Sequence, residues 1–334
     1  MRVRLRAQSI STRTHSSVTM HMIAGGAGFV GVNLAAALLE RGDSVLVVDD
    51  LSRGTRAAME RFCANQAFSF VEADCSDPDL LEKMLAGRPI DEIWHMAANS
   101  DIPAGVADYR IDLRQTFMTT LALLDFMRRR GIGVIHFASS SAIYGDHGDT
   151  LIHEDIGPLL PISNYGAMKL ASEAQLRAAH EAYVSRVSLF RFPNVIGVPA
   201  THGVILDFVR KLKATPSQLE VLGDGTQQKG YLHVSDLVAA MLHIADRGEP
   251  FAVYNIGPTD EGVTVRFIAE AVRDAASPGA AILYGEEDRG WVGDVPRFRY
   301  SVQRLIDTGW RPTFDSQTAV ARAVGEIVEQ ERDW

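Results

Sequence analysis

Only two cysteines, Cys63 and Cys75, occur in 334 residues. Two are too few for a disulfide framework, and their spacing matches no zinc-binding pattern, so a reducing compartment such as the cytoplasm is expected and no metal. Basic residues are also scarce: 33 Lys and Arg stand against 42 Asp and Glu, a net charge of −9 at pH 7. That balance excludes a sequence-blind grip on nucleic-acid phosphates, and any anionic ligand has to be held locally. Long apolar runs are missing too. Residues 20–39 carry no charge and follow Arg2, Arg4, Arg6 and Arg13, an order that mimics a signal anchor. Gly25, Gly26, Gly28, Gly31, His21 and Asn33 nevertheless dilute the stretch far below a spanning helix. No membrane attachment is expected. Residues 1–19 read as a disordered leader, with an Arg/Ser-rich transit peptide as the lesser alternative.

What is present is an ordinary globular mix, 46% hydrophobic and 22% charged, long enough for about two domains. Short β-branched or aromatic runs alternate with amphipathic stretches, the pattern of repeated βαβ units on a parallel sheet. Strands are expected at 22–24, 44–48, 68–72, 92–96, 134–138, 187–192 and 251–256. Helices are expected at 31–40, stopped by Gly42, at 116–130, stopped by Gly131, and at 164–183. The fold class is therefore α/β, a Rossmann doubly wound parallel sheet. Beyond Phe192 the texture changes to loops punctuated by Pro193, Gly197, Pro199, Gly203, Gly223 and Gly225. A smaller, discontinuous α+β domain over the strand C-termini is expected, 193–229 plus 258–334, beside a first domain of 20–192 plus 230–257.

The first strand runs into Gly25-Gly26-Ala27-Gly28-Phe29-Val30-Gly31 and then a helix carrying Leu34, Leu38 and Leu39. Glycines there permit a tight turn and let backbone N–H groups approach a pyrophosphate at the positive end of the helix. About twenty residues on, a buried strand ends in Asp49-Asp50, acids placed to accept hydrogen bonds from an adenosine ribose and to repel a 2′-phosphate. NAD is the expected cofactor, and the first domain its binding domain.

Tyr165-x-x-x-Lys169 sets a phenol and an ammonium on one face of a helix. A cation beside a tyrosine favours the phenolate and so makes a general base. Upstream, Ser139-Ser140-Ser141 places hydroxyls at the C-terminal end of a sheet strand, where open α/β sheets bind ligands.

Together with Arg191-Phe192-Pro193-Asn194-Val195-Ile196-Gly197, these motifs resemble the extended short-chain dehydrogenase/reductase family, the nucleotide-sugar epimerases and dehydratases, over residues 20–310. The runs 202–208, 219–236 and 289–296 resemble its branch of 4-epimerases acting on UDP-glucose and UDP-galactose. The resemblance implies Tyr165 as acid/base, Lys169 as its partner and ribose ligand, and Ser140 on the reacting hydroxyl. Around NAD it implies Gly25, Gly28, Phe29, Val30, Asp49, Asp50, Asp74, Cys75, Ala97 and Ala98. For a nucleotide diphosphate sugar it implies Ser140, Ser141, Asn194, Lys229, Tyr231, Arg289 and Asp294, the second domain being its binding domain. It also implies a homodimer formed through helices 116–130 and 164–183.

Departures from the family pattern narrow the reading. Ser141 and Ala142 stand where the 4,6-dehydratases carry Asp and Glu, which argues against water elimination. Lys229 replaces an arginine, Gly230 an acid, Trp291 an arginine, and Pro193 an aromatic. The expected activity is a 4-epimerase working through a transient 4-keto sugar. The alternatives are a related reductase, decarboxylase or epimerase of another nucleotide sugar, such as a uronic acid or heptose, and a catalytically silent NAD-binding regulator.

Overall fold

A computed structural model describes residues 18–287 and 299–332. Strands form where β-branched and aromatic residues run together: β1 (Met20–Ala24), β2 (Ser44–Asp49), β3 (Phe68–Glu72), β4 (Glu92–His95), β5 (Val134–Ala138) and β6 (Arg186–Arg191), joined by a later strand, Phe251–Asn255. They make one seven-stranded sheet in the order Phe251–Asn255, β6, β5, β4, β1, β2, β3, every pairing parallel. The expected doubly wound sheet is what forms. The chain runs outward from β1 through β2 and β3 on one side and from β4 onward on the other. A crevice therefore opens between the C-terminal ends of β1 and β4, the position at which ligands bind in this topology.

Successive strand residues point to opposite faces, and both faces are covered by helices. Ile23, Val45, Val47 and Trp94 pack with helices Phe29–Glu40 and Val234–Asp246. Met22, Leu46, Ile93, Ile135 and Phe137 pack on the other face with helices Thr119–Arg130 and Asn164–Ala182. The helix expected over 116–130 instead opens as a π-helical stretch, Leu113–Met118, before the regular helix Thr119–Arg130. It stops at Gly131, whose φ of 68° a side chain would resist.

A third apolar cluster gathers Ile196, Phe208, Leu219, Tyr231, Ile268, Ala319 and Val324. They come from helices Val204–Ala214, Val265–Ala276 and Ser316–Arg332 and from short strand pairs such as Asn194–Ile196 with Tyr231–His233. Leu305 and Trp310 turn back and join the sheet-side cluster.

A buried carboxylate sits in the middle of the sheet, on β4. Glu92, buried on β4, lies 2.9 Å from His21 Nδ1, which takes the Trp94 indole N–H, and accepts from Arg186 Nη2 at 3.0 Å. Burial raises its pKa, but hydrogen bonds from His136 and His21 outweigh that and hold it well below the usual range. Its contribution to stability is thus complete above the unfolded value near 4.3 and is lost as pH falls. Glu92→Gln leaves the Arg186 guanidinium without its carboxylate and is expected to cost about 1–3 kcal/mol in a urea melt at pH 7. The deficit relative to the parent shrinks below about pH 4.

Candidate active site

The cofactor end is shaped by close backbone approaches. Gly25 has φ +78°, and a Cβ on it would lie 2.5 Å from the backbone of Ala97 beyond β4. A Cβ on Gly31 would lie 2.5 Å from the Gly25 carbonyl. Gly28 is different. Its missing side chain meets only the Gly25 carbonyl at 3.5 Å, and it begins helix Phe29–Glu40 without a side-chain cap. The first-turn N–H groups of that helix are thereby left for a ligand, the arrangement that takes phosphate.

Asp49 is 7% exposed and accepts from Ala27 N at 3.0 Å and Leu51 N at 2.8 Å, so its carboxylate braces the glycine turn. Burial raises its pKa against those two bonds. Asp50 is exposed and closes a turn on Ser52. Asp74 takes Arg114 Nη2 at 3.0 Å and Ser76 N at 2.8 Å. Cys75 is buried with its thiol toward the Val48 carbonyl, and burial pushes its pKa upward, away from thiolate chemistry. These residues, with Phe29, Val30, Ala97 and Ala98, line a cavity of about 1020 Å³. Bare helix amides, an open glycine face and an acid at the end of β2 fit a dinucleotide.

Ser140, Tyr165 and Lys169 line the same cavity. Ser140 follows β5 and caps the short turn Ser141–Ile143. Helix Asn164–Ala182 starts against that turn because Gly166 has no side chain; a Cβ there would sit 2.4 Å from the Ala142 carbonyl. The close approach sets Tyr165 beside Ser140 on the wall of the cavity. One helical turn on, Lys169 is buried with Nζ on the Ala138 carbonyl at 2.5 Å and 4.6 Å above the Phe137 ring.

The sequence led us to expect that Lys169 would lower the phenol's pKa. Burial dominates instead: it pushes Tyr165 up to about 12, against the influence of Ser140, and Lys169 down to about 7, against Glu173 and Asp112. The ammonium is turned to Ala138, 5.7 Å from the centre of the tyrosine ring.

Beneath the site lies a buried polar network that motif reading did not single out. Glu173, one turn beyond Lys169, receives Arg191 in a two-pronged bond (3.0 and 2.6 Å) and the Ser139 hydroxyl. Arg191 also donates to Tyr144 Oη at 2.9 Å, and Tyr144 donates to Asn255. Helix Asn164–Ala182 is thus locked to β5 and β6. The spacing Tyr165, Lys169, Glu173 was the available signal.

Asn194, Lys229 and Tyr231 line the far part of the cavity, Asn194 and Tyr231 as direct partners in a short strand pair. Ser141 is not on that wall; its N–H donates to the Phe192 carbonyl at 3.1 Å. Arg289 and Asp294 lie outside the described residues. Among the described residues no His/Cys/Asp/Glu group is arranged to hold a metal, and no helix is long and apolar enough to cross a membrane.

A dinucleotide crevice opening onto a Ser-Tyr-Lys set defines a Rossmann enzyme of the hydride-transfer type. Residues 21–257 match the NAD dependent epimerase/dehydratase family, and the chain belongs to it. It is similar to a UDP-glucose 4-epimerase of Azospirillum brasilense, 29% identical with 90% of each chain covered. Its fold is similar to that of a UDP-galactose 4-epimerase structure, with a TM-score of 0.82, 32% identity, and 93% of this chain and 99% of the other covered. A Thermus thermophilus UDP-glucose 4-epimerase in complex with NAD matches with a TM-score of 0.81 and 28% identity, over 92% of this chain and 99% of that one.

Gly25→Ala forces a side chain onto Ala97 at a positive φ. The variant is expected to lose at least about 100-fold in NAD affinity relative to the parent, measured by titration of the purified proteins with NAD.

Proposed function

We propose that the protein is an NAD-dependent 4-epimerase of nucleotide diphosphate sugars, interconverting UDP-glucose and UDP-galactose through a transient 4-keto sugar. The observation that carries this reading is the convergence of Ser140, Tyr165 and Lys169 on the cavity that also contains the glycine turn. Bound NAD supplies a hydride acceptor and donor. Ser140 orients the sugar's C4 hydroxyl, and Tyr165 takes its proton as the hydride leaves C4. Turning of the keto sugar about its phosphate linkage and return of both then invert the centre. Lys169 is the partner of Tyr165 and a ribose ligand. Ser141 and Ala142, where dehydratases carry an acid and a base, favour epimerisation over elimination.

The cavity is bounded by sheet-end residues and by side chains of the third cluster, such as Ile196, Phe208 and Ile327. That supports a division between an NAD-binding part, 20–192 plus 230–257, and a sugar-nucleotide part, 193–229 plus 258–334. Asn194, Lys229 and Tyr231 would meet the nucleotide diphosphate, with binding energy drawn from it rather than from the hexose that must turn. Leu113, Met118 and Tyr183 are exposed apolar side chains in or beside the two helical segments assigned to a homodimer, and two scarce thiols fit a reducing cytoplasm.

Tyr165→Phe keeps the packing and removes the proton acceptor. It is expected to bind NAD normally while kcat for UDP-galactose to UDP-glucose falls by about 10²–10⁴. Equal activity of parent and variant overturns the assignment.

A further inference from the structure

Two loops on opposite sides of the glycine turn are joined by an ion pair. β1 lies between β2 and β4 in the sheet, so the loops that leave β2 and β4 flank the turn that leaves β1. Both press against it. A Cβ on Gly54, in the loop after β2, would fall 2.6 Å from Ala27, and a Cβ on Gly25 would fall 2.5 Å from Ala97, in the loop after β4. Beyond these contacts, Arg53 Nη1 donates to Asp101 Oδ2 at 3.2 Å. Arg53 lies on the cavity wall, and Asp101 stands between the wall residues Ser100 and Ile102. Glycine turn, two loops and ion pair thus make a closed ring at the cofactor end of the cavity.

Each end of the pair is set in advance. Leu51 takes a left-handed conformation, φ 59°, and donates its N–H to Asp49 at 2.8 Å. Ser52 donates its N–H and its hydroxyl to Asp50 at 2.9 and 2.6 Å. Across the ring, Asp101 N donates to Asn99 Oδ1 at 3.0 Å, and Asn99 Nδ2 donates to the Asp101 carbonyl at 2.9 Å. Asp101 Oδ1 caps helix Ile102–Ala107 through Ala104 N, which leaves Oδ2 for Arg53. An exposed ion pair is ordinarily weak because two side chains must be ordered to form it. Here the carboxylate is already ordered by its cap, and the arginine alone has freedom to lose.

We propose that Arg53 and Asp101 form a strap across the cofactor crevice that paces NAD in and out, the dinucleotide exchanging only when the pair parts. The charges suit such a ligand. Asp101 by itself would repel a pyrophosphate; paired with Arg53 it does not, and the guanidinium stays on the cavity wall. The role requires only that the crevice takes NAD and is independent of which sugar is turned over.

Stopped-flow fluorescence of NADH gives the rates of association and of release, the latter started with excess NAD, for the parent, Arg53→Gln, Asp101→Asn and the double variant. Asparagine at 101 can keep the helix cap, and circular dichroism checks the fold of each variant. A strap opens for entry and exit alike. Both rates are therefore expected to rise by about 2–5-fold in each single variant, with Kd unchanged to within about twofold and the double variant no faster than either single one. Local charge without a strap acts otherwise: loss of Arg53 slows association of an anionic ligand, and loss of Asp101 quickens it. Opposite shifts in the two variants overturn the proposal. Faster release without faster association in Arg53→Gln also overturns it, making Arg53 a plain phosphate ligand, and so do rates equal to the parent's.

Discussion

The burial of one ammonium governs the arrangement of this site. Lys169 is 2% exposed, and a buried cation persists only where carbonyls and carboxylates replace its water. The last carbonyl of β5 supplies one bond, the Phe137 ring a second contact, and Glu173 and Asp112 the negative charge. Glu173 is held in turn by Arg191 at the end of β6. Strand order is what makes this possible. Because β5 and β6 are neighbours, a helix laid over them can reach a carbonyl of one and an arginine of the other. The positions of the Ser140 and Tyr165 hydroxyls then follow from where that helix starts, against the turn Ser141–Ile143.

The cofactor end is organised on a different principle. The protein carries a net charge of −9, yet its proposed ligands bring two diphosphates. The structure meets the first with backbone rather than with side-chain cations. Gly25 and Gly31 allow the turn to close, Gly28 leaves the helix amides bare, and Asp49 spends its oxygens on the turn's own N–H groups. A braced, preorganised turn of this kind loses little entropy when a pyrophosphate arrives. Strong local dipoles thereby stand in for net positive charge.

Much of this was legible in the sequence, for local reasons. The strands fell within a residue or two of their expected limits because β-branched runs and stopping glycines such as Gly42 and Gly131 act over a few positions. The glycine turn and Tyr165-x-x-x-Lys169 were legible because their chemistry requires fixed spacings. Three features were not. The π-helical stretch 113–118 has no composition that distinguishes it from an ordinary first turn. The upward shift of Tyr165 depends on how completely the helix start is buried, which spacing cannot show. Arg53 and Asp101 come together only through tertiary folding, and neither belongs to a motif that announces the pair.

The central claim is that hydride leaves C4 of a nucleotide sugar and returns to the same carbon while Tyr165 handles the proton. Incubation of the purified, NAD-loaded protein with UDP-glucose deuterated at C4, without added nucleotide, tests it directly by mass spectrometry and NMR of the products. UDP-galactose that retains deuterium at C4 is the predicted result. Deuterium lost to solvent during epimerisation, or no epimerisation by protein that holds NAD, would contradict the account.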